Sequence, residues 1–115
     1  MKFRHEERIR RRAEFQLVYE QGARIRGRFS TIFLLPNKRS VGRLGIAATR
    51  KLGGAVQRNR AKRLIREVFR RNNLAAGFDV VVVPKRELLD ASLTALEAEY
   101  RYNLERSLRQ HRRSG

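Results

Sequence analysis

The spacing of hydrophobic positions changes several times along this chain, and each change marks an element. In "RRAEFQLVYEQG", Phe15, Val18 and Tyr19 recur at helical spacing, and the run stops at Gly22, a residue suited to a helix C-terminus. Residues 24–35, "RIRGRFSTIFLL", are rich in strand formers and end at the turn-like "PNKRSVG". As one strand, that run places Phe29, Thr31, Phe33 and Leu35 on a common face. "VGRLGIAATRK" reads as a second strand with Leu44, Ile46 and Ala48 on one side, and the two strands are expected to pair as an antiparallel hairpin.

Further on the period becomes helical. Ala61, Leu64, Ile65, Val68 and Phe69 fall at i, i+3, i+4, i+7 and i+8, one face of a helix. The run of four valines in "GFDVVVVPK", closed by Pro84, has the character of a strand buried on both faces. In the last segment Thr94 and Glu97 have capping-box spacing, and Leu96, Tyr100, Leu104 and Leu108 continue a helical stripe. The predicted order is α-β-β-α-β-α, an α+β fold with helices packed on a small, mostly antiparallel sheet. Residues 1–115 form one domain, with a basic flexible arm over about 1–8 and a basic tail over about 109–115.

Charge changes this picture more than composition does. A chain that is 41% hydrophobic and 8% aromatic has enough apolar surface to fold. Yet it carries 28 Lys and Arg against 11 Asp and Glu, a formal +17, with a pI near 11.7. Such self-repulsion points to a polyanionic partner, nucleic acid first and an acidic membrane surface second. Arg outnumbers Lys 23 to 5, and its planar fork suits phosphate and stacking. Genomic base composition accounts equally well for that ratio, though not for the total charge. The absence of cysteine excludes disulfides, thiolate zinc sites and cysteine nucleophiles, and is compatible with a reducing compartment. "MKFRHEERIRRR" lacks the apolar run of a secretory signal, and no segment approaches the ~20 apolar residues that span a bilayer. A soluble cytoplasmic protein with no membrane partner is expected.

The charge concentrates in Lys51–Arg71, which holds eight basic residues and one acid in 21 positions. On the helix defined by its apolar stripe, Asn59, Arg63, Arg66 and Arg70 point nearly opposite the core, flanked by Lys62 and Arg60. Gly53 and Gly54 precede it, allowing close backbone approach where the first-turn N–H groups can hold a phosphate oxygen. Ordinary surface helices mix signs, but here Glu67 is the only acid within reach of Arg63 or Arg71. Arg63, Arg66 and Arg70 repel one another at helical spacing, an arrangement that a bound polyanion explains.

Catalysis by the chain itself has little support. His5 and His111 lie near opposite ends, and Glu67, Asp79, Glu87 and Asp90 are scattered with no metal-ligand pattern. No catalytic residue and no metal ligand is expected. A ribosomal or assembly protein would share this composition, and a DNA reader is a further option without a helix-turn-helix pair to support it.

"GGAVQRNRAKRLIREVFR", preceded by "GRLGIAATRK", closely resembles the signature region of the bacterial ribonuclease P protein subunit. In that family a strand ending in a small hydroxyl residue and two basic residues leads through a glycine turn into a helix bearing Arg-Asn-Arg. The matching residues are Thr49, Arg50, Lys51, Gly53 and Arg58-Asn59-Arg60, followed by Lys62, Arg63, Arg66 and Glu67. "EFQLVYEQG" and "RFSTIFLLPN" resemble the family's first helix and first strand, so the likeness covers roughly residues 8–108. Gly54 stands where Asn is common, and Tyr19 where Phe is frequent.

The resemblance implies a ribosomal-protein-like sandwich with a left-handed crossover around the basic helix, where general handedness rules favour a right-handed one. It implies a cofactor to a catalytic RNA, the two together cutting the 5′ leader from precursor tRNA. Chemistry would then reside in the RNA and the Mg2+ it mainly holds. The partners are ribonuclease P RNA and precursor tRNA, with no obligate protein partner. Arg50, Lys51, Arg58, Asn59, Arg60, Lys62, Arg63, Arg66 and Arg70 are the expected RNA contacts. A single-stranded leader calls for aromatic rings beside positive charge. Phe15, Tyr19, Phe29 and Phe33, with Thr49, are the cleft candidates, although aromatics at these spacings suit a core equally well.

Overall fold

The computed structural model of the chain describes residues 7–114, the side chains of the last two excepted. Its elements are α1 (Arg12–Gln21), β1 (Ala23–Arg26), β2 (Ser30–Pro36), β3 (Arg43–Ile46), α2 (Ala55–Arg71), β4 (Phe78–Pro84) and α3 (Leu93–Ser114). Short 3-10 turns occupy Arg50–Leu52 and Arg86–Asp90. The fold is α+β, with strands in the order β1-β2-β4-β3. β1–β2 and β2–β4 are antiparallel, and β3–β4 is parallel.

Two expectations about the strands are corrected. Residues 24–35 are not one strand but two, so the order is α-β-β-β-α-β-α. The break at Gly27–Phe29 is imposed from distant parts of the chain. The Glu99 carboxylate accepts the N–H groups of Arg28 and Phe29, the latter at 3.0 Å, and Lys85 Nζ donates to the Gly27 carbonyl at 2.6 Å. A Cβ on Gly27 would lie 2.9 Å from the Ser30 backbone carbonyl oxygen and 2.7 Å from a Glu99 oxygen, so a side chain there would force the turn to shift. Nor do the strands before and after "PNKRSVG" form a hairpin, because β4 lies between them. The valine strand is the one able to be buried on both sides, and it takes an interior position between β2 and β3. A parallel β3–β4 pair then needs a crossover connection, which α2 supplies.

The core lies on both faces of the sheet. Val80 and Val82 turn to one face, where Ile32, Leu34 and Leu44 meet Ala61, Ile65, Val68 and Phe69 of α2 and Leu96, Tyr100 and Leu104 of α3. Val81 turns to the other face, where it is buried with Ile9 and with Val18 of α1. The helical stripes of α2 and α3 are thus those expected from spacing. The cap of α3 is not: Ser92 Oγ accepts the Ala95 N–H at 3.1 Å. Glu97 turns instead to Asn72 at 2.9 Å and Arg71 at 3.5 Å, tying α3 to the end of α2. Residues expected to form a C-terminal tail from about 109 are the last turns of α3, where the His111 ring sits edge-on to Phe78 at 5.2 Å. The expected N-terminal arm lies mostly outside the described residues.

One polar cluster joins three elements. Arg43 on β3, 8% exposed, donates from Nε and Nη2 to the two oxygens of Asp79 on β4, at 2.8 and 2.7 Å. Its Nη1 reaches Glu14 of α1 at 2.8 Å, and Asn37 Nδ2 donates to Asp79 at 2.9 Å. The bond to Asp79 outweighs burial and raises the Arg43 pKa, keeping the guanidinium charged. Burial works against the Glu14 carboxylate, but Arg43 and the N–H groups of Arg11 and Arg10 overcome it and hold its pKa below the ordinary 4.5. A carboxyl lowered in this way stabilises the fold above its unfolded pKa and loses that effect as pH falls through the folded value. Glu14→Gln is therefore expected to lower the urea midpoint at neutral pH, with the deficit closing in acid. An equal deficit at both would show that the charge on Glu14 contributes nothing.

Candidate nucleic-acid interface

The basic helix is positioned from the end of β3. The Ala47 N–H donates to the Val82 carbonyl at 3.0 Å, which carries the sheet register one residue beyond the strand. Buried Leu52 anchors the 3-10 turn, and Gly53, at φ 138°, reverses the chain into α2 in a region that disfavours side chains. Arg58 closes this turn by donating from Nη1 to the Gly53 carbonyl at 3.3 Å. No side chain caps α2 and no acid lies in its first turn, so the positive end of its dipole is uncompensated. Val56 in that turn is 78% exposed, an apolar spot in a basic setting.

Burial of Ala61, Ile65, Val68 and Phe69 directs the opposite side outward, and Asn59, Arg60, Arg63, Arg66 and Arg70 are exposed as the angular reading requires. Arg50 and Lys51 are exposed at the turn, while Arg58 and Lys62 are half-buried. The expected repulsion is partly relieved at the C-terminal end. Arg70 pairs with Glu67 and Arg71 with Glu97. Arg60, Arg63 and Arg66 have no ion-pair partner among the described residues.

A second surface lies on the α1 side of the sheet. Phe15 and Tyr19 have ring centroids 6.4 Å apart, and Tyr19 meets Phe33 edge-on at 5.0 Å. All three rings are half-buried, and burial raises the Tyr19 phenol pKa. Phe15 rests on Gly45, where an added Cβ would lie 2.8 Å from the ring. Two residues missed in the sequence join this surface. Register places Arg24 opposite Phe33 and Arg26 opposite Thr31, hence on the same sheet face, and the Arg24 guanidinium lies 5.8 Å from the Phe33 centroid. The alternation in "ARIR", with Ile25 toward the other core, is the signal that identifies them.

Phe29 is corrected: it does not belong to this patch. The turn at 27–29 sends its ring to the α2–α3 core, with the Arg28 guanidinium 5.3 Å from its centroid. Thr49 is exposed and extended beyond β3; because Ala48 packs toward the helix-side core, Thr49 alternates toward the α1 side. His5 lies outside the described residues, and His111 is held against Phe78. Among the described residues, no group of three or more His, Asp or Glu could hold a metal ion, and no helix is long and apolar enough to cross a membrane.

Fold and charge together define a small α+β domain that turns one arginine-lined helix face to solvent and an arginine-edged aromatic patch to the other side. The family model for Ribonuclease P matches residues 3–108. The ribonuclease P protein component of Thermotoga sp. strain RQ2 is 39% identical over 88 residues, covering 75% of each chain. Among solved structures, the RNase P protein of Thermotoga maritima superposes with TM-score 0.78 at 33% identity, over 87% of this chain and 96% of that one. A mutant RNase P protein of Staphylococcus aureus gives TM-score 0.80 at 30% identity, over 89% and 88%. The chain belongs to the ribonuclease P protein component family.

The seat of Phe15 can be tested directly. Gly45→Ala is expected to push the ring off β3 and cost about 1–3 kcal/mol, read as a lower urea midpoint with weakened Phe15–Tyr19 NMR contacts. An unchanged midpoint and unchanged contacts would show that the ring is not seated there.

Proposed function

We propose that this chain is the protein cofactor of a ribonuclease P ribonucleoprotein, holding the catalytic RNA with α2 and the 5′ leader of precursor tRNA with the α1-side patch. The observation that carries this reading is the outer face of α2, where Arg60, Arg63 and Arg66 follow an uncapped glycine turn and have no ion-pair partner among the described residues. Successive arginines three residues apart advance about 4.5 Å along the helix axis, a ladder of charge that neutralises phosphates without reading sequence. Phe15, Tyr19 and Phe33, edged by Arg24 and Arg26, have the character of a stacking platform for unpaired bases. Arg50, Lys51 and Thr49 lie on the connection between the two surfaces, a path for one substrate from leader to RNA core.

In this reading bond cleavage belongs to the RNA subunit. The Mg2+ is held mainly by the RNA in this reading, and no step is routed through this chain. The place of action is the cytoplasm, and no obligate protein partner is needed.

Alone, the protein is expected to leave precursor tRNA intact; mixed with a bacterial ribonuclease P RNA, it should permit 5′ cleavage at low magnesium. No stimulation by a folded sample would overturn the assignment. Arg63→Ala with Arg66→Ala should weaken RNA binding and reduce the slope of log affinity against log salt by about one for each phosphate no longer neutralised. Circular dichroism should be unchanged, and an unchanged slope would remove this face from the interface.

A further inference from the structure

The C-terminal half of α3 carries a second basic surface that neither the α2 face nor the α1-side patch accounts for. At 100° per residue, Tyr102, Arg106 and Arg109 fall within a 60° arc, about opposite the buried Leu96, Tyr100, Leu104 and Ser107. All three are exposed, Tyr102 at 62%. The nearest acid on the helix, Glu105, is turned to Arg101 at 3.5 Å. Neither Arg106 nor Arg109 has an ion-pair or hydrogen-bond partner among the described residues. Cations near a helix C-terminus gain from the dipole only within the last turn, which excludes both positions in a helix ending at Ser114. Dipole compensation therefore explains neither the paired arginines nor the exposed ring.

We propose that this face is a second contact for single-stranded RNA, with Tyr102 stacking on an unpaired base and Arg106 and Arg109 holding phosphates. The proposal rests on the RNA-partner reading above and adds a surface to it. Arg106 and Arg109 lie about 6 and 10 Å from Tyr102 along the axis, a spacing suited to neighbouring nucleotides. α3 packs on the sheet face away from the α1-side patch, so one RNA strand would not meet both rings locally. It is tied to the end of α2 by Glu97 and by Arg101, which donates to Asn72 Oδ1 at 3.2 Å. The Tyr102–Arg109 face lies C-terminal to that seam. A membrane surface fits poorly, because Tyr102 is the only exposed large hydrophobic residue of α3 among the described residues.

The test uses the full chain, a 5-iodouridine-substituted oligouridylate, and an RNA hairpin of equal length. Irradiation should give an adduct on Tyr102. Tyr102→Ala should weaken oligouridylate binding about tenfold and leave hairpin binding unchanged. Arg106→Ala with Arg109→Ala should reduce the single-strand salt slope by about 1.4. No Tyr102 adduct together with unchanged affinity and slope would overturn the proposal and leave the face to an acidic protein. Equal losses on hairpin and single strand would overturn the stacking role. Precursor cleavage by the unaltered chain with its RNA is read separately, so failure of this contact is distinct from failure of the cofactor reading.

Discussion

The buried guanidinium of Arg43 is the constraint on which the other parts depend. It binds both oxygens of Asp79 and reaches Glu14, so one side chain fixes β3, β4 and α1 together. β3 leads into α2, and α1 carries two of the three rings of the aromatic patch. Both candidate surfaces therefore take their positions from one ionic cluster. Removing one partner from such a cluster leaves an uncompensated buried charge, typically at a cost of about 3–5 kcal/mol, even where the intact set adds little net stability. Its contribution is best understood as geometry: it fixes which way α1 lies across the sheet.

α2 meets two opposed demands. Its inner stripe is among the most buried parts of the chain, with Ala61 at 0% and Val68 at 4% exposure. Its outer face repeats like charges that would weaken an isolated helix. Packing on the sheet lets the repulsion persist, because helices in proteins draw most of their stability from tertiary contacts. The acids near its end are engaged locally, Glu67 by Arg70 and Glu97 by Arg71, which leaves the middle of the face unneutralised.

Features that depend on local periodicity are legible in the sequence: the two faces of α2, the doubly buried valine strand, the stripe of α3, and the Phe15–Tyr19 face of α1. What escapes it is set by contacts distant in sequence. The β1–β2 turn is clamped by Glu99, some 70 positions away, and by Lys85. Nothing within "RIRGRFSTIFLL" records that clamp, so alternation alone puts Phe29 on the wrong face and passes over the edge arginines Arg24 and Arg26. Insertion of β4 between β2 and β3 is likewise a property of the whole sheet. Ser92, not Thr94, caps α3, and Glu97 is engaged by Asn72 and Arg71. The basic motif is readable because its glycines, charges and apolar stripe all lie within one short span.

The parallel pairing of β3 with β4 has a consequence for how the molecule is assembled. A hairpin can form from neighbours, but β3 acquires this partner only when the whole stretch from Ala47 to Gly77 closes into a loop. That closure also buries the apolar stripe of α2. Completion of the sheet and presentation of the arginine ladder are thus coupled, because the connection that pairs β3 with β4 is the one that seats α2 on the core.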